Sequence, residues 1–241
     1  MLKKFFLTVL LLPCLSTMAQ HRVRMLVEAD EKRHVLGVKQ EIVFVNTSSR
    51  PLSGVVLNDW NNSFSSKATP LAHRFSDEFV RAFHLAKDHE RGSTSNISIL
   101  DGDQRFLQWR RPQGKPDILE VDFREELAAG DSIKLNLTYF LKVPSDRFTK
   151  FGYTDNGGFL LRDAFLMPAR LDNGKFARYS NENLDDRATG AVDIAHSVVS
   201  CTAVADAGAG SSTIPVHTAK GTSRKPSVMT SARVIAIGRR R

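Results

Sequence analysis

Apolar and polar side chains alternate along much of the chain, and the period of two points to strands. Val23, Met25 and Val27 recur at every second position, and the run Val35–Val45 (VLGVKQEIVFV) is longer and rich in β-branched residues. The turn formers Asn46-Thr47-Ser48-Ser49-Arg50-Pro51 stop that run, and Val55 to Leu57 is expected to continue an antiparallel meander. Strands resume at Asn96 to Leu100, turn at Asp101-Gly102-Asp103 and return over Phe106 to Trp109. After a polar, proline-containing loop from Arg110 to Asp117 come Ile118 to Phe123, the tight Leu127-Ala128-Ala129-Gly130-Asp131 connection, and a strand whose Ile133, Leu135, Leu137 and Tyr139 share one face. It ends at Pro144. Short strands with turns about every ten residues predict an all-β fold, an antiparallel β-sandwich or saddle-shaped sheet.

One segment breaks the alternation. Thr69-Pro70 is an N-cap followed by proline at the first helical position, and Leu71, Phe75, Phe79, Phe83 and Ala86 recur at spacings of four or three. This predicts a helical insertion over about 69–90, interrupted near Ser76, with one apolar stripe laid across a sheet edge or face. Beyond Pro144 the connector is too greasy for a solvated loop: Phe148, Phe151, Tyr153, Phe159, Phe165 and Met167 fall in twenty residues, with Leu160, Leu161 and Leu166 between them. Such a loop must cover something. Asp155-Asn156-Gly157-Gly158 inside it is a turn by composition, either a hairpin tip or a projection towards a partner.

Three runs resemble the N-terminal domain of the aminopeptidase N family, the gluzincin zinc metallopeptidases, in its secreted bacterial form. They are LNDWNNSFSSKATPLAHRFSDEFVRAFHLAKDHERG (57–92), FGYTDNGGFLLRDAFLMPAR (151–170) and YSNENLDD (179–186), and the likeness covers roughly residues 23–195. The resemblance implies a β domain, incomplete at its C-terminal end, that packs on a catalytic metallopeptidase domain and helps wall off its cleft. Phe148, Phe151, Tyr153, Phe159, Phe165, Met167, Tyr179, Asn181, Asp185 and Asp186 are then the expected domain interface. The zinc is expected in the catalytic domain, and none is expected on this chain. A free-standing secreted β-sandwich that binds a protein or glycan partner is the alternative, and a following frame encoding the catalytic signature would separate the two.

That signature, His-Glu-x-x-His on one helical face with a downstream glutamate, does not occur among the seven histidines here, so no activity is expected of this chain alone. His84, Asp88, His89 and Glu90 come nearest. His84 and Asp88 would share a helical face, but His89 would point ~140° away. Asn181, Glu182, Asn183, Asp185 and Asp186 are rich in oxygen but lack the alternating ligands and central glycine of a calcium loop, and turn or capping hydrogen bonds account for them better. Neither Gly-x-Ser-x-Gly nor a phosphate loop is present.

Charge changes the picture less than its total suggests. The net charge is +8, with 41% hydrophobic and 25% charged residues. Lys3, Lys4 and the C-terminal residues 200–241 carry all of the excess, which leaves 20–199 neutral and offers no electrostatic footprint for nucleic acid. Residues 1–19 have the form of a secretory signal. Lys3 and Lys4 precede an apolar run from Phe5 to Leu15, too short for the ~20 residues of a membrane span, and Thr17-Met18-Ala19 supplies the small residues for cleavage. Pro13 stands where a lipoprotein site at Cys14 would need a small residue. Cleavage leaves Cys201 alone, a chain destined for the periplasm or the exterior, and no membrane span. Residues 200–241 hold no aromatic and no leucine and are more than half Ala, Gly, Ser and Thr, so they are expected to form a disordered basic tail. The abruptness of the change suggests out-of-frame sequence joined to a truncated domain, with a natural tail ending in Arg239-Arg240-Arg241 as the other possibility.

Overall fold

The computed structural model describes residues 21–177, apart from 150, 156, 157, 162 and 173, and the backbone of 194–203 and 213–215. Residues 1–20, where the secretory signal is expected, Tyr179, Asn181, Asp185, Asp186 and most of the C-terminal residues lie outside the described part. In chain order the elements are β1 (His21–Asp30), β2 (Val35–Val45), β3 (Leu52–Asn58), a 3-10 turn (Trp60–Phe64), α1 (Pro70–Asp77), α2 (Arg81–Leu85), a second 3-10 turn (Asp88–Glu90) and β4 (Ser93–Leu100). Then follow β5 (Trp109–Arg110), β6 (Ile118–Leu127), β7 (Ser132–Lys142), β8 (Gly152–Tyr153), β9 (Phe159–Leu160), β10 (Met167–Pro168), β11 (Leu171–Asp172), β12 (Lys175–Phe176), β13 (Ile194–Ala203) and β14 (Thr213–Pro215).

The strands form a six-stranded sheet, ordered β14-β13-β1-β2-β7-β4, and a four-stranded sheet, ordered β10-β3-β6-β5. The alternation in sequence becomes alternation in burial: Val23, Met25 and Val27 of β1, Leu36, Val38, Ile42 and Phe44 of β2, and Leu135, Leu137, Tyr139 and Leu141 of β7 all point inward. Leu57 and Val55 of β3 and Leu119 and Val121 of β6 join the same hydrophobic cluster from the second sheet. The result is a two-layer sandwich, the expected all-β architecture. At ~25 cal/mol per Å² this shared apolar layer is the main stabilising contribution.

β1, β2 and β7 pair antiparallel in a continuous register. β3 does not continue that meander. It leaves the sheet of β2 and pairs with β6 in the other layer. Asn46, fully buried, makes the crossing: its side-chain amide donates to the carbonyls of Arg50, Leu127 and Ala128 at 2.7, 2.9 and 3.2 Å. One asparagine thus holds the β2–β3 and β6–β7 connections together and satisfies carbonyls that the turn would leave unpaired. β5 is shorter than the expected Phe106–Trp109 strand, and the Phe106 side chain stands exposed. β13 pairs parallel to β1, from His21↔Ile194 to Ala29↔Ala203, so one strand runs across the change in composition at 199/200.

The helical insertion is two short helices rather than one. Thr69 caps α1 as its spacing predicts, its Oγ1 accepting from Ala72 N at 3.2 Å with Pro70 behind it. The helix closes at Asp77. Phe79 N donates to Ser76 O at 3.0 Å and Val80 N to Phe75 O at 2.7 Å, a left-handed C-terminal cap. Phe79 occupies the left-handed position, φ 59°, where glycine is usual, and it is 87% exposed. The apolar stripe therefore consists of Leu71, Phe75, Phe83 and Ala86, all buried, and Phe79 is not part of it. Among the described residues no helix is long and apolar enough to cross a membrane.

Candidate functional site

At one end of the sandwich the 3-10 turn, α1, α2 and the connector after β7 close on each other. Phe64 lies 5.5 Å from Phe151 and 6.2 Å from Phe83, and Phe83 lies 5.1 Å from Phe148, edge to face. Phe75 packs 5.4 Å from Phe83. These centroid distances are those of favourable aromatic pairs. What the connector covers is therefore this chain's own insertion and inner sheet face. Phe148, Phe151, Phe159 and Phe165, expected at an interface, are buried in the core of this chain. Their hydrophobicity is a signal of burial, and for Phe148 and Phe151 the burying surface includes Phe83 and Phe64 of the insertion.

The C-terminal part of the connector is anchored by a closed ring of hydrogen bonds. The Tyr139 hydroxyl donates to Gln40 Oε1 at 2.6 Å and accepts from Leu166 N at 3.2 Å, while Gln40 Nε2 donates to Leu166 O at 2.7 Å. Full burial pushes the Tyr139 phenol above its ordinary range and keeps it a donor. Tyr153 and Met167, both half-buried, keep part of their surface outside. The Tyr153 ring stacks on His34 at 3.5 Å, and burial, then the nearby His89, hold His34 below the ordinary imidazole range against the opposing pull of Asp30. Asp155 and Gly158 lie in the loop of the β8–β9 hairpin, where Thr154 N donates to Gly158 O at 2.8 Å. Exposed apolar side chains at this end are Phe79, Leu85 and Leu160, with Leu85 78% exposed.

A polar junction, which pattern reading did not single out, adjoins the aromatic cluster. Asp59, fully buried, receives Thr94 Oγ1 at 2.6 Å and Arg111 Nη2 at 2.6 Å. Asn62 Oδ1 accepts from Thr94 N at 3.1 Å, and its Nδ2 donates to Pro116 O at 2.7 Å. Asn61 Nδ2 reaches Ser93 O at 2.9 Å and Lys142 O at 3.1 Å, covering the start of the β4 edge. Burial pushes the Asp59 carboxyl up, opposed by Arg111, by Thr94 and by the Asn62 N–H. The signal in the sequence was the run Asn58-Asp59-Trp60-Asn61-Asn62-Ser63, five short polar residues around a tryptophan between a strand and a helix.

The residues nearest to a metal signature do not converge. α2 ends at Leu85, so His84 and Asp88 share no helix. His84 Nε2 is within hydrogen-bond distance of Ser76 Oγ and Ala72 O, Asp88 pairs with Arg91, and Glu90 pairs with Arg147 at 2.9 Å and caps Lys87 N. Among the described residues no three His, Cys, Asp or Glu side chains are grouped as a metal ion requires, so these residues do not fit zinc.

No family model and no curated protein matches the sequence. Among solved structures, the M1 zinc metallopeptidase from Deinococcus radiodurans is similar at 12% identity and a TM-score of 0.38 as its E323A mutant, and at 12% and 0.37 in the form without that substitution. A two-domain M1 zinc metallopeptidase E323A mutant bound to L-tryptophan is similar at 12% and 0.37. Each alignment covers 76% of this chain, and the chain spans 31–32% of the length of those proteins.

Proposed function

We propose that this chain is the non-catalytic N-terminal domain of an exported zinc metallopeptidase of the aminopeptidase N family, which packs on a separate catalytic domain and helps shape its cleft. One observation supports this reading above the others. Two of the runs that carry the sequence resemblance, 57–92 and 151–170, fold against each other, with Phe64 of the first on Phe151 of the second. Segments distant in the chain that share a family likeness thus form one end of one sandwich.

On this reading the interface is the outer surface of that end. Tyr153 and Met167 contribute from the connector, and Tyr179, Asn181, Asp185 and Asp186 follow in the chain. The four buried phenylalanines support the surface from beneath. The zinc belongs to the catalytic domain, where it would polarise the scissile carbonyl and activate water.

Two experiments test the proposal. Sequencing the DNA on both sides of codon 200 is expected to find a frame encoding His-Glu-x-x-His with a downstream glutamate. A stop codon followed by unrelated genes would instead favour a free-standing sandwich. The purified mature chain, supplied with zinc and aminoacyl reporter substrates, is expected to show no chelator-sensitive hydrolysis, and turnover would overturn the assignment.

A further inference from the structure

Two carboxyls, Asp59 and Asp117, are enclosed where β3 runs into the first 3-10 turn, beside the half-buried guanidinium of Arg111. Asp59 and Arg111 pair at 2.6 Å, so their charges cancel. Asp117 is 1% exposed, and its Oδ2 is buried with no hydrogen-bond partner among the described residues. The charged groups that act on it are Lys115 and Arg111 from its own loop and Asp59 from the end of β3, the last opposing its ionisation. β4 brings only Thr94, whose hydroxyl is committed to Asp59. A negative charge on Asp117 is therefore a second negative charge beside a guanidinium already paired with Asp59, with one oxygen left unsolvated.

The same loop is what closes this end of the sandwich. Asp59 N donates to Asp117 O at 2.7 Å, Asn62 Nδ2 donates to Pro116 O at 2.7 Å, and Arg111 also donates to Pro116 O. We propose that Asp117 is the proton-operated part of a clasp. Neutral, it leaves the 111–117 loop seated on the 3-10 turn. Ionised by loss of its Oδ–H proton to water, it loosens the loop from Asp59 and Asn62. The inference does not depend on the proposed function.

The direction with pH follows from the burial, which pushes the Asp117 carboxyl up to about 6 from an ordinary 3.8. The unfolded or opened chain loses this proton first, so the clasp's contribution is whole below about pH 4 and lost as the pH rises through about 6. The test is amide hydrogen exchange on the full mature chain at about pH 4.5 and 7, with protection corrected for intrinsic exchange. Protection at 59, 62 and 111–118 should fall about tenfold at the higher pH, and Asp117→Asn should abolish the fall. A fall of the same size in Asp117→Asn, or none in the native chain, overturns the proposal. Should Asp117→Asn fail to fold, the Asp117 carboxyl carbon resonance of the native chain decides. It should titrate near 6 together with the amide shifts of 111–118, and a midpoint in the ordinary aspartate range overturns the clasp.

Discussion

The two sides of the Trp60–Phe64 turn bury neighbouring residues by opposite means. On one side Phe64 enters a cluster with Phe75, Phe83, Phe148 and Phe151, where nothing needs a specific partner and everything needs its volume filled. On the other, Asp59 and Asn62 are held by Thr94, Arg111 and Pro116, where volume matters less than whether each donor and acceptor is met. Asp59 and Asn62 precede Phe64 within the same short turn. The aromatic side should tolerate changes of pH and salt and suffer from truncation. The polar side should tolerate isosteric change made to both partners and suffer when one is removed.

The largest effect expected from breaking this contrast is on the polar side. Asp59→Ala leaves the Arg111 guanidinium without its counter-charge and the Thr94 hydroxyl without its acceptor, and should cost about 3–5 kcal/mol by denaturant unfolding. Replacing both partners, Asp59→Asn with Arg111→Met, should recover much of that loss, because no uncompensated charge remains. A double variant as unstable as the single one would show that the pair itself stabilises the fold. On the aromatic side Phe83→Ala should cost about 3–4 kcal/mol through the cavity it leaves, with no dependence on pH between 5 and 8. Phe83→Leu should cost less than half of that. The smallest effect is a gain: Phe79→Gly relieves the left-handed strain at the end of α1 and should stabilise the chain by about 1 kcal/mol, read as a shift in urea midpoint without change in slope.

The same contrast explains what could be read beforehand. β1, β2 and β7 were legible because one face of each is buried and the other wet, so burial wrote itself as a period of two in VRMLVEA and LNLTYFL. Thr69-Pro70 was legible because capping chemistry is local. Phe79 was not, because an aromatic residue four after Phe75 has the right spacing whether or not the helix continues, and the cap at Asp77 is made by backbone groups. The connector's phenylalanines announced burial but not by what, since hydrophobicity carries no address. Phe148 packs on Phe83 of α2 and Phe151 on Phe64 of the first 3-10 turn. The polar junction was hidden because Asp59 is far in the chain from the loop that carries Arg111 and Asp117, and each resembles an ordinary surface residue until the fold brings them together. β13 crosses the boundary at residue 199/200 because pairing with β1 is a backbone matter, to which composition is nearly blind.

The proposed role is tested most directly by complex formation. The tagged mature chain, produced together with the polypeptide that carries His-Glu-x-x-His in the adjoining frame, should elute from gel filtration as a one-to-one complex. Two separate peaks at micromolar concentration would contradict the assignment of this sandwich as the partner of a catalytic module.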